Sequence, residues 1–259
     1  MTESQTASVE MVGDAMSGPA LVLCEHASNH IPPEYDGLGL AVEAAQSHAA
    51  WDPGARALAV HIARALRAPM IAGAVSRLVY DCNRPPEAQS AMPARSEVID
   101  IPGNANLSAK QRAARTEAIY RPFIDAVGGL LDRRRANAVP TALITVHSFT
   151  PVYHGVERST EIGLLHDSDA TLTDAMLRCT LKLPHRQIDR NQPYGPEDGV
   201  THSLQIHGIA RDLPNVMIEV RNDLLQSEAQ IAQIGGELLT LLRPALIHLG
   251  LMMQGRAHG

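Results

Sequence analysis

Three short apolar runs of the sequence each end in ionisable residues. In chain order these are Glu25 with His26, then His147, then Glu219 with Arg221. Ligands of an open α/β sheet bind at the carboxyl ends of its strands, so three strands ending here would deliver these side chains to one edge. Histidine and carboxylate brought together at such an edge form a metal site or an acid/base site. The pattern therefore indicates a hydrolytic enzyme.

Two of these residues, His26 and His147, are candidate metal ligands. A single histidine after a strand is more often a hydrogen-bonded structural residue, but two strengthen each other because zinc needs convergent ligands. A catalytic zinc typically has three protein ligands, so we expect a carboxylate as the third. Asp52 is one candidate, although it could instead cap a helix. Glu25 is the other, and it can join His26 only if the chain turns there, since neighbouring strand residues face opposite ways.

Two further groups suit the chemistry of an amide hydrolase. Glu219 could act as a general base towards a metal-activated water, or it could simply pair with Arg221. Asn83 and Arg84 follow another predicted strand, and an arginine beside an amide suits bidentate recognition of a carboxylate. The alternative for Arg84 is a salt bridge to Asp81.

The elements around these residues alternate between strands and helices. We expect strands over residues 19–24, 69–75, 77–80, 141–147, 161–165 and 216–220, and helices over residues 41–66 (a pair), 107–135, 169–181 and 227–249. Asp52 is predicted to cap the second helix of the pair, with Pro53 at its first position, and Ser108 to cap the next helix. Residues 87–105 read as a long loop, which in a compact domain is usually functional or mobile. The alternation indicates a three-layer α/β/α fold with a mostly parallel central sheet.

Composition narrows the class of protein. The 259 residues are 45% hydrophobic, which suits one large catalytic domain over residues 18–259 after a loose tail over residues 1–17. The net charge of −6 without a basic stripe argues against nucleic-acid binding. Three cysteines without a CxxC pair argue against a disulfide framework or a zinc ribbon. Without a signal peptide or a membrane span in the sequence, we expect a soluble, cytoplasmic protein.

Three sequence motifs resemble those of the N-formylglutamate amidohydrolase family. They are LCEHASNHIP at residues 23–32, SRLVYDCNRP at residues 76–85 and VMIEVRND at residues 216–223, and the resemblance runs from about residue 19 to 250. The family is similar, more distantly, to zinc carboxypeptidases and aspartoacylases. Residues 145–149 resemble the strand bearing their second zinc histidine, residues 81–84 their substrate-carboxylate motif, and residues 218–221 the strand bearing their catalytic glutamate. The resemblance implies a phosphorylase/hydrolase-like α/β/α fold with one metal ion.

The resemblance also implies a cofactor and a substrate. The cofactor is Zn²⁺ or another divalent ion, with His26, Asp52 and His147 as ligands. Carboxypeptidases carry an HxxE ligand pair, and that spacing from His26 gives Asn29, a poor ligand, which places Asp52 ahead of Glu25. The substrate is a small N-acyl amino acid, with N-formylglutamate as the leading candidate.

We assign expected roles accordingly. The catalytic set is Glu219 and Arg221, and the substrate-binding set is Asn83, Arg84, Arg77 and Ser148. Glu219 would take a proton from the attacking water and return it to the leaving amine, while Asn83 and Arg84 hold the α-carboxylate. Three alternatives stay open: a peptidase or amidase acting on a larger amide such as a cell-wall peptide, a non-catalytic small-molecule binder, and a cysteine hydrolase using Cys24 with His26.

Overall fold

The computed structural model of the protein describes residues 3–5 and 8–254. In this part of the chain there are twelve strands: β1 (Glu3–Gln5), β2 (Val9–Val12), β3 (Ala20–Cys24), β4 (Met70–Gly73), β5 (Arg95–Ser96), β6 (Ile99–Asp100), β7 (Ala142–Phe149), β8 (Val152–Tyr153), β9 (Val156–Glu157), β10 (Ile162–Leu165), β11 (Ile188–Arg190) and β12 (Asn215–Arg221). The α-helices are α1 (Val42–Gln46), α2 (Ala55–Leu66), α3 (Ala109–Arg115), α4 (Arg121–Ala136), α5 (Thr171–Leu177) and α6 (Glu228–His248). A π-helical turn, Thr116–Tyr120, joins α3 to α4.

Eight of the strands form one sheet, in the order β1-β2-β4-β3-β7-β12-β10-β11. The four central strands β4, β3, β7 and β12 run parallel. The flanking strands break this pattern, because β2 pairs antiparallel with β4 and β10 pairs antiparallel with β12. The α/β prediction is confirmed, and the sheet is mixed with its parallel part at the centre.

Apolar side chains leave the central strands towards both faces of the sheet. Val22 and Ile144 pack into a core shared with α2, α5 and α6, while Leu21 and Leu143 pack into a second core shared with α4. Burial on both faces explains why these strands are continuous apolar runs instead of alternating patterns. The result is the expected three-layer arrangement. No helix among the described residues is long and apolar enough to cross a membrane.

The structure corrects the expected loose tail. Strand β2 lies within residues 1–17, pairs with β4, and buries the side chains of Val9 and Val12. Residues 1, 2, 6 and 7 of the predicted tail, and residues 255–259 of the predicted catalytic domain, lie outside the described part of the chain. The single catalytic domain stays a prediction.

Two local predictions between the strands are also wrong. Residues 77–79 form a turn, not a strand: the Ser76 hydroxyl donates to the carbonyl of Ala50 and accepts from the amide of Leu78. Asp52 does not cap α2, which begins at Ala55 after Gly54, a residue with φ of 82°. The Asp52 side chain points to the sheet edge instead, where it contacts His26 and His147.

Gly73, the last residue of β4, permits a close backbone approach. A Cβ atom on Gly73 would lie 2.2 Å from the carbonyl oxygen of Glu25, a contact too short for any side chain. The chain leaving β3 therefore passes directly against the end of β4. This contact sets the backbone position of Glu25 and His26 at the sheet edge.

Candidate active site

Three side chains predicted as ligands converge at the carboxyl edge of the parallel strands. His26 follows β3, His147 lies in β7, and Asp52 lies in the turn before α2. Oδ2 of Asp52 is 3.2 Å from Nδ1 of His26 and 2.9 Å from Nδ1 of His147, and the two Nδ1 atoms are 3.2 Å apart. All three residues are buried.

The outer nitrogen of each histidine faces a carboxylate. Nε2 of His26 is 2.7 Å from Oδ1 of Asp81. Nε2 of His147 is 3.2 Å from Oε2 of Glu25, an ion-pair distance that lacks hydrogen-bond geometry. A carboxylate at Nε2 favours the tautomer that keeps its proton there and leaves a lone pair on Nδ1, the usual arrangement of metal-binding histidines.

This arrangement fits a cation. With the protons on Nε2, two nitrogen lone pairs and a carboxylate oxygen converge on one point, a donor set suited to zinc and similar divalent ions. His26, Asp52 and His147 form the group of described residues able to hold a metal ion. Glu25 lies on the far side of the His147 ring, against its outer nitrogen.

Electrostatics point the same way. Burial raises the pKa of Asp52, but His26 and His147 outweigh it and hold the pKa below its ordinary value. Burial lowers the pKa of His147, but Glu25 and Asp52 outweigh that effect and raise it well above its ordinary value. The surroundings of both groups therefore favour a compensating positive charge.

Glu219 lies beside this group. In the parallel pairing of β12 with β7, Glu219 is opposite His147. Its carboxylate is buried, and Oε2 has no hydrogen-bond partner among the described residues. Burial raises its pKa to about 7, the range that suits a general base near neutral pH.

Arg221 is not bonded to Glu219. Its guanidinium donates to the carboxylate of Asp223, at 2.8 Å from Nε to Oδ1, and to the carbonyl of Arg158 at 3.0 Å. Arg221 is also absent from the residues that line the cavity beside Glu219. The alternative in which Glu219 is neutralised by Arg221 is therefore not what the structure contains, and a catalytic role for Arg221 stays a prediction.

The three candidate metal ligands and Glu219 share a cavity of about 190 Å³. Its other lining residues are His48, Ala49, Arg77, Asn83, Arg84, Ser96, Glu97, Ser148, Tyr153, Tyr194 and Val200. A larger groove of about 730 Å³ lies along α2, but Asp14 is its only carboxylate and no histidine lines it. We therefore place the chemistry in the smaller cavity.

Two arginines, Arg77 and Arg84, line the cavity. Arg77 pairs with carboxylates, whereas Arg84 has no carboxylate within 4 Å among the described residues. It donates to the carbonyls of Asn83, at 3.0 Å, and Gly199, at 2.8 Å. The alternative salt bridge to Asp81 is not formed, because that carboxylate is occupied by His26 and Arg77. Among the described residues, no carboxylate therefore forms a salt bridge with Arg84 at the cavity.

The other predicted substrate-binding residues also line the cavity, but their polar groups are engaged. The Asn83 amide bonds the carbonyl of Val200 and the backbone amide of Ser203, which fixes the loop across from it. Arg77 spans Asp52 and Asp81, at 3.3 and 3.0 Å. The hydroxyl of Ser148 donates to a backbone carbonyl at 2.8 Å. Their roles towards substrate stay predictions.

The observed positions of several site residues were not foreseen from the sequence. Asp81 and Glu25 hold the outer nitrogens of the two histidines, and His48, Glu97, Tyr153 and Tyr194 complete the cavity wall. Glu25 had a signal, since it adjoins His26. The loop over residues 87–105 had one as well, since its length alone suggested function.

The cysteines do not join the site. Cys24 and Cys82 are buried, and burial raises the pKa of both thiols well above the ordinary value. A nucleophilic cysteine needs the opposite shift. This weighs against a cysteine hydrolase that uses Cys24.

Comparison with known proteins places the chain in a family. The family model described as N-formylglutamate amidohydrolase matches residues 18–226. The chain belongs to the N-formylglutamate amidohydrolase family. No curated protein matches the chain.

Two solved structures share the fold of this amidohydrolase family member. A gene product from Agrobacterium tumefaciens is 48% identical, with a TM-score of 0.92, and the match covers 94% of this chain and 96% of that one. The N-formylglutamate amidohydrolase from Ralstonia eutropha JMP134 is 17% identical, with a TM-score of 0.68 and coverage of 95% and 100%. At that identity the second match shows the fold alone.

Proposed function

We propose that this protein is a metal-dependent amidohydrolase, with zinc as the expected ion, that removes the acyl group of a small N-acyl amino acid. The family name makes N-formylglutamate the first substrate to assay. One observation carries the proposal: the Nδ1 atoms of His26 and His147 and an oxygen of Asp52 converge beside Glu219. This buried carboxylate has one oxygen with no hydrogen-bond partner in the described part of the chain.

Each residue has a role in the proposed reaction. His26, Asp52 and His147 would hold the ion, which would supply Lewis-acid chemistry that makes water more acidic and polarises a carbonyl. Glu219 takes the proton of the attacking water and returns it to the leaving amine nitrogen. Arg84 binds the α-carboxylate of the substrate through its guanidinium, which forms no salt bridge within the described residues. The products are the free amino acid and the acid of the acyl group, which is formate for an N-formyl substrate.

The cavity supports a small substrate. Its volume of about 190 Å³ lies below the roughly 300–1,000 Å³ typical of pockets for drug-sized ligands. A peptide or cell-wall amide would need more room. The presence of Glu219 beside a complete candidate ligand set favours an enzyme over a non-catalytic binder.

Metal analysis with an activity screen tests the proposal. The purified protein should carry about one equivalent of zinc or a similar divalent ion, and His147→Ala should lose it, because a catalytic site has about three protein ligands. The metal-loaded protein should hydrolyse N-formyl amino acids faster than their N-acetyl analogues. Full metal occupancy in His147→Ala, or no hydrolysis of either series, would overturn it.

A further inference from the structure

The cavity contains a carboxylate that the proposed reaction does not use. Glu97, from the loop between β5 and β6, lines the same cavity as His26, Asp52 and Glu219. Its side chain is 14% exposed. An anionic group on this wall must affect which substrate side chains the cavity accepts.

Glu97 is held firmly by two other segments of the wall. Its Oε2 is 2.9 Å from Nε2 of His48, and its Oε1 accepts a hydrogen bond from the backbone amide of His154 at 3.3 Å. Both oxygens are thus engaged, and the carboxylate is tied to its place by the segment after α1 and by the hairpin of β8 and β9.

The cavity wall offers one unpaired cation for substrate carboxylates. Of its two guanidinium groups, Arg77 is shared by Asp52 and Asp81, so only Arg84 lacks a carboxylate partner among the described lining residues. Arg158 contacts two residues of the wall, with its guanidinium carbon 4.5 Å from the ring centre of Tyr153 and 4.8 Å from that of Tyr194. It does not line the cavity.

These charges fit a substrate with one carboxylate. On the proposed function, Arg84 takes the α-carboxylate. A carboxylate on the substrate side chain would then be desolvated without an unpaired cation and with Glu97 on the same wall, which is unfavourable. An uncharged polar side chain avoids both problems, and the wall also holds the polar side chains of Tyr153 and Tyr194.

We propose that this protein selects N-formyl derivatives of amino acids with uncharged polar side chains, typified by glutamine, and that Glu97 discriminates against N-formylglutamate. The proposal rests on the proposed amidohydrolase function and refines its substrate class. It predicts that N-formylglutamate, which gives the family its name, is a poorer substrate for this chain than N-formylglutamine.

A matched substrate pair tests the proposal. N-formyl-L-glutamine and N-formyl-L-glutamate have nearly the same shape and differ in charge. The metal-loaded wild type should show a kcat/KM about 10-fold or more higher for the glutamine derivative, which corresponds to about 1.4 kcal/mol. Free glutamine should likewise inhibit more strongly than free glutamate, a measurement that needs no variant.

Charge variants identify the residue responsible. In Glu97→Gln the ratio of the two kcat/KM values should fall about 10-fold. Glu157→Gln is the matched control, because Glu157 lies in the same hairpin as His154 but does not line the cavity, and it should keep the wild-type ratio. In His48→Gln, which removes the partner of Glu97, the ratio should rise.

The outcomes separate the two proposals. A wild type that prefers N-formylglutamate overturns the selectivity and leaves the amidohydrolase function standing. A wild-type ratio in a folded Glu97→Gln overturns the role of Glu97. If no N-formyl amino acid is hydrolysed, the proposed function fails and the selectivity fails with it.

Discussion

His26 and His147 present the same ring nitrogen to Asp52, and each has a carboxylate behind its other nitrogen. A histidine can ligate through either nitrogen, so the choice is made by the hydrogen bond that the other nitrogen forms. The hydrogen bond between His26 and Asp81 favours that choice here, and so does the ion-pair contact of His147 with Glu25. The proposed chemistry at the centre therefore depends on residues that never touch the substrate.

The first prediction concerns Glu219. Glu219→Gln keeps the size of the side chain and removes the base, so turnover should fall at least about 100-fold, the low end for loss of a general base. Metal content should stay at the wild-type level, because Glu219 is outside the group of candidate ligands. Elemental analysis and steady-state kinetics of the same preparation measure both. Turnover near that of the wild type would make Glu219 a structural carboxylate.

The second prediction concerns Arg84. Arg84→Ala should raise KM about 10- to 100-fold, because a hydrogen bond to a charged group contributes roughly 1.5–3 kcal/mol. Arg84→Lys should recover only part of the loss, since an ammonium lacks the planar fork.

A substrate with an amidated α-carboxylate is the control for Arg84. It should bind poorly to the wild type and lose little more in Arg84→Ala. Equal losses for the amide and the free acid would mean that Arg84 serves to hold the loop through Gly199, to whose carbonyl it donates.

Strand ends are the elements that build the site. The register of β3, β7 and β12 brings His26, His147 and Glu219 to one edge of the sheet. Their positions were predictable because each residue lies at the carboxyl end of an apolar run, and parallel strands end at the same edge. Asp52 was predictable only as a candidate. Its sequence position suits a helix cap, and the choice between cap and ligand is made by tertiary contacts with the two histidines.

Other elements could not be predicted for the same kind of reason. Residues 77–80 have the composition of a strand, but the Ser76 hydroxyl, which donates to the carbonyl of Ala50 and accepts from the amide of Leu78, holds a turn there. That turn places Asp81 behind His26. The contacts join residues that are 26 and 55 positions apart, and local sequence patterns carry no information about such pairs.

The third prediction concerns Glu25, which follows β3, and its effect on the affinity for zinc. Glu25→Gln should weaken zinc binding about 10- to 100-fold, the usual effect of losing a carboxylate behind a ligating histidine. Asp81→Asn should act in the same direction through His26. Competition with a chromogenic chelator measures the affinity directly, without any assay of activity. Wild-type affinity in a folded Glu25→Gln would reduce Glu25 to a space-filling role.

At the scale of the whole molecule, the buried Glu219 carboxylate lowers the free energy of unfolding of the metal-free protein at neutral and higher pH. The pKa of Glu219 is about 7 in the folded protein, against an ordinary 4.5, because the carboxylate is buried. The folded state thus holds this proton more tightly than the unfolded state. Between pH 4.5 and 7 the unfolded chain has lost the proton that the folded chain keeps, so stability falls as pH rises through this window.

The fourth prediction follows from this sign. The free energy of unfolding of metal-free Glu219→Gln, minus that of the metal-free wild type, should be larger at pH 8 than at pH 5. The change approaches at most about 3 kcal/mol at roughly 1.36 kcal/mol per pKa unit. Urea unfolding of both proteins at the two pH values measures it. Asp52, whose pKa is lowered from its ordinary 3.8, is ionised in both the folded and the unfolded chain across this window and adds no slope. A difference between the two proteins that does not depend on pH would contradict the prediction.

Gly73 makes the backbone of one strand part of the catalytic apparatus. Deep mutational scanning for activity should score every substitution of Gly73 as deleterious, since even alanine forces the Glu25 carbonyl, and with it His26, out of position. Gly129→Ala in α4 is the matched comparison, because a Cβ there meets nothing within 4 Å and helix propensity favours alanine by about 1 kcal/mol. A survey of tolerated mutations would thus mark Gly73 as an active-site position although it has no side chain to react. Mutational scans of this fold would therefore identify essential positions, such as Gly73, that have no reactive side chain.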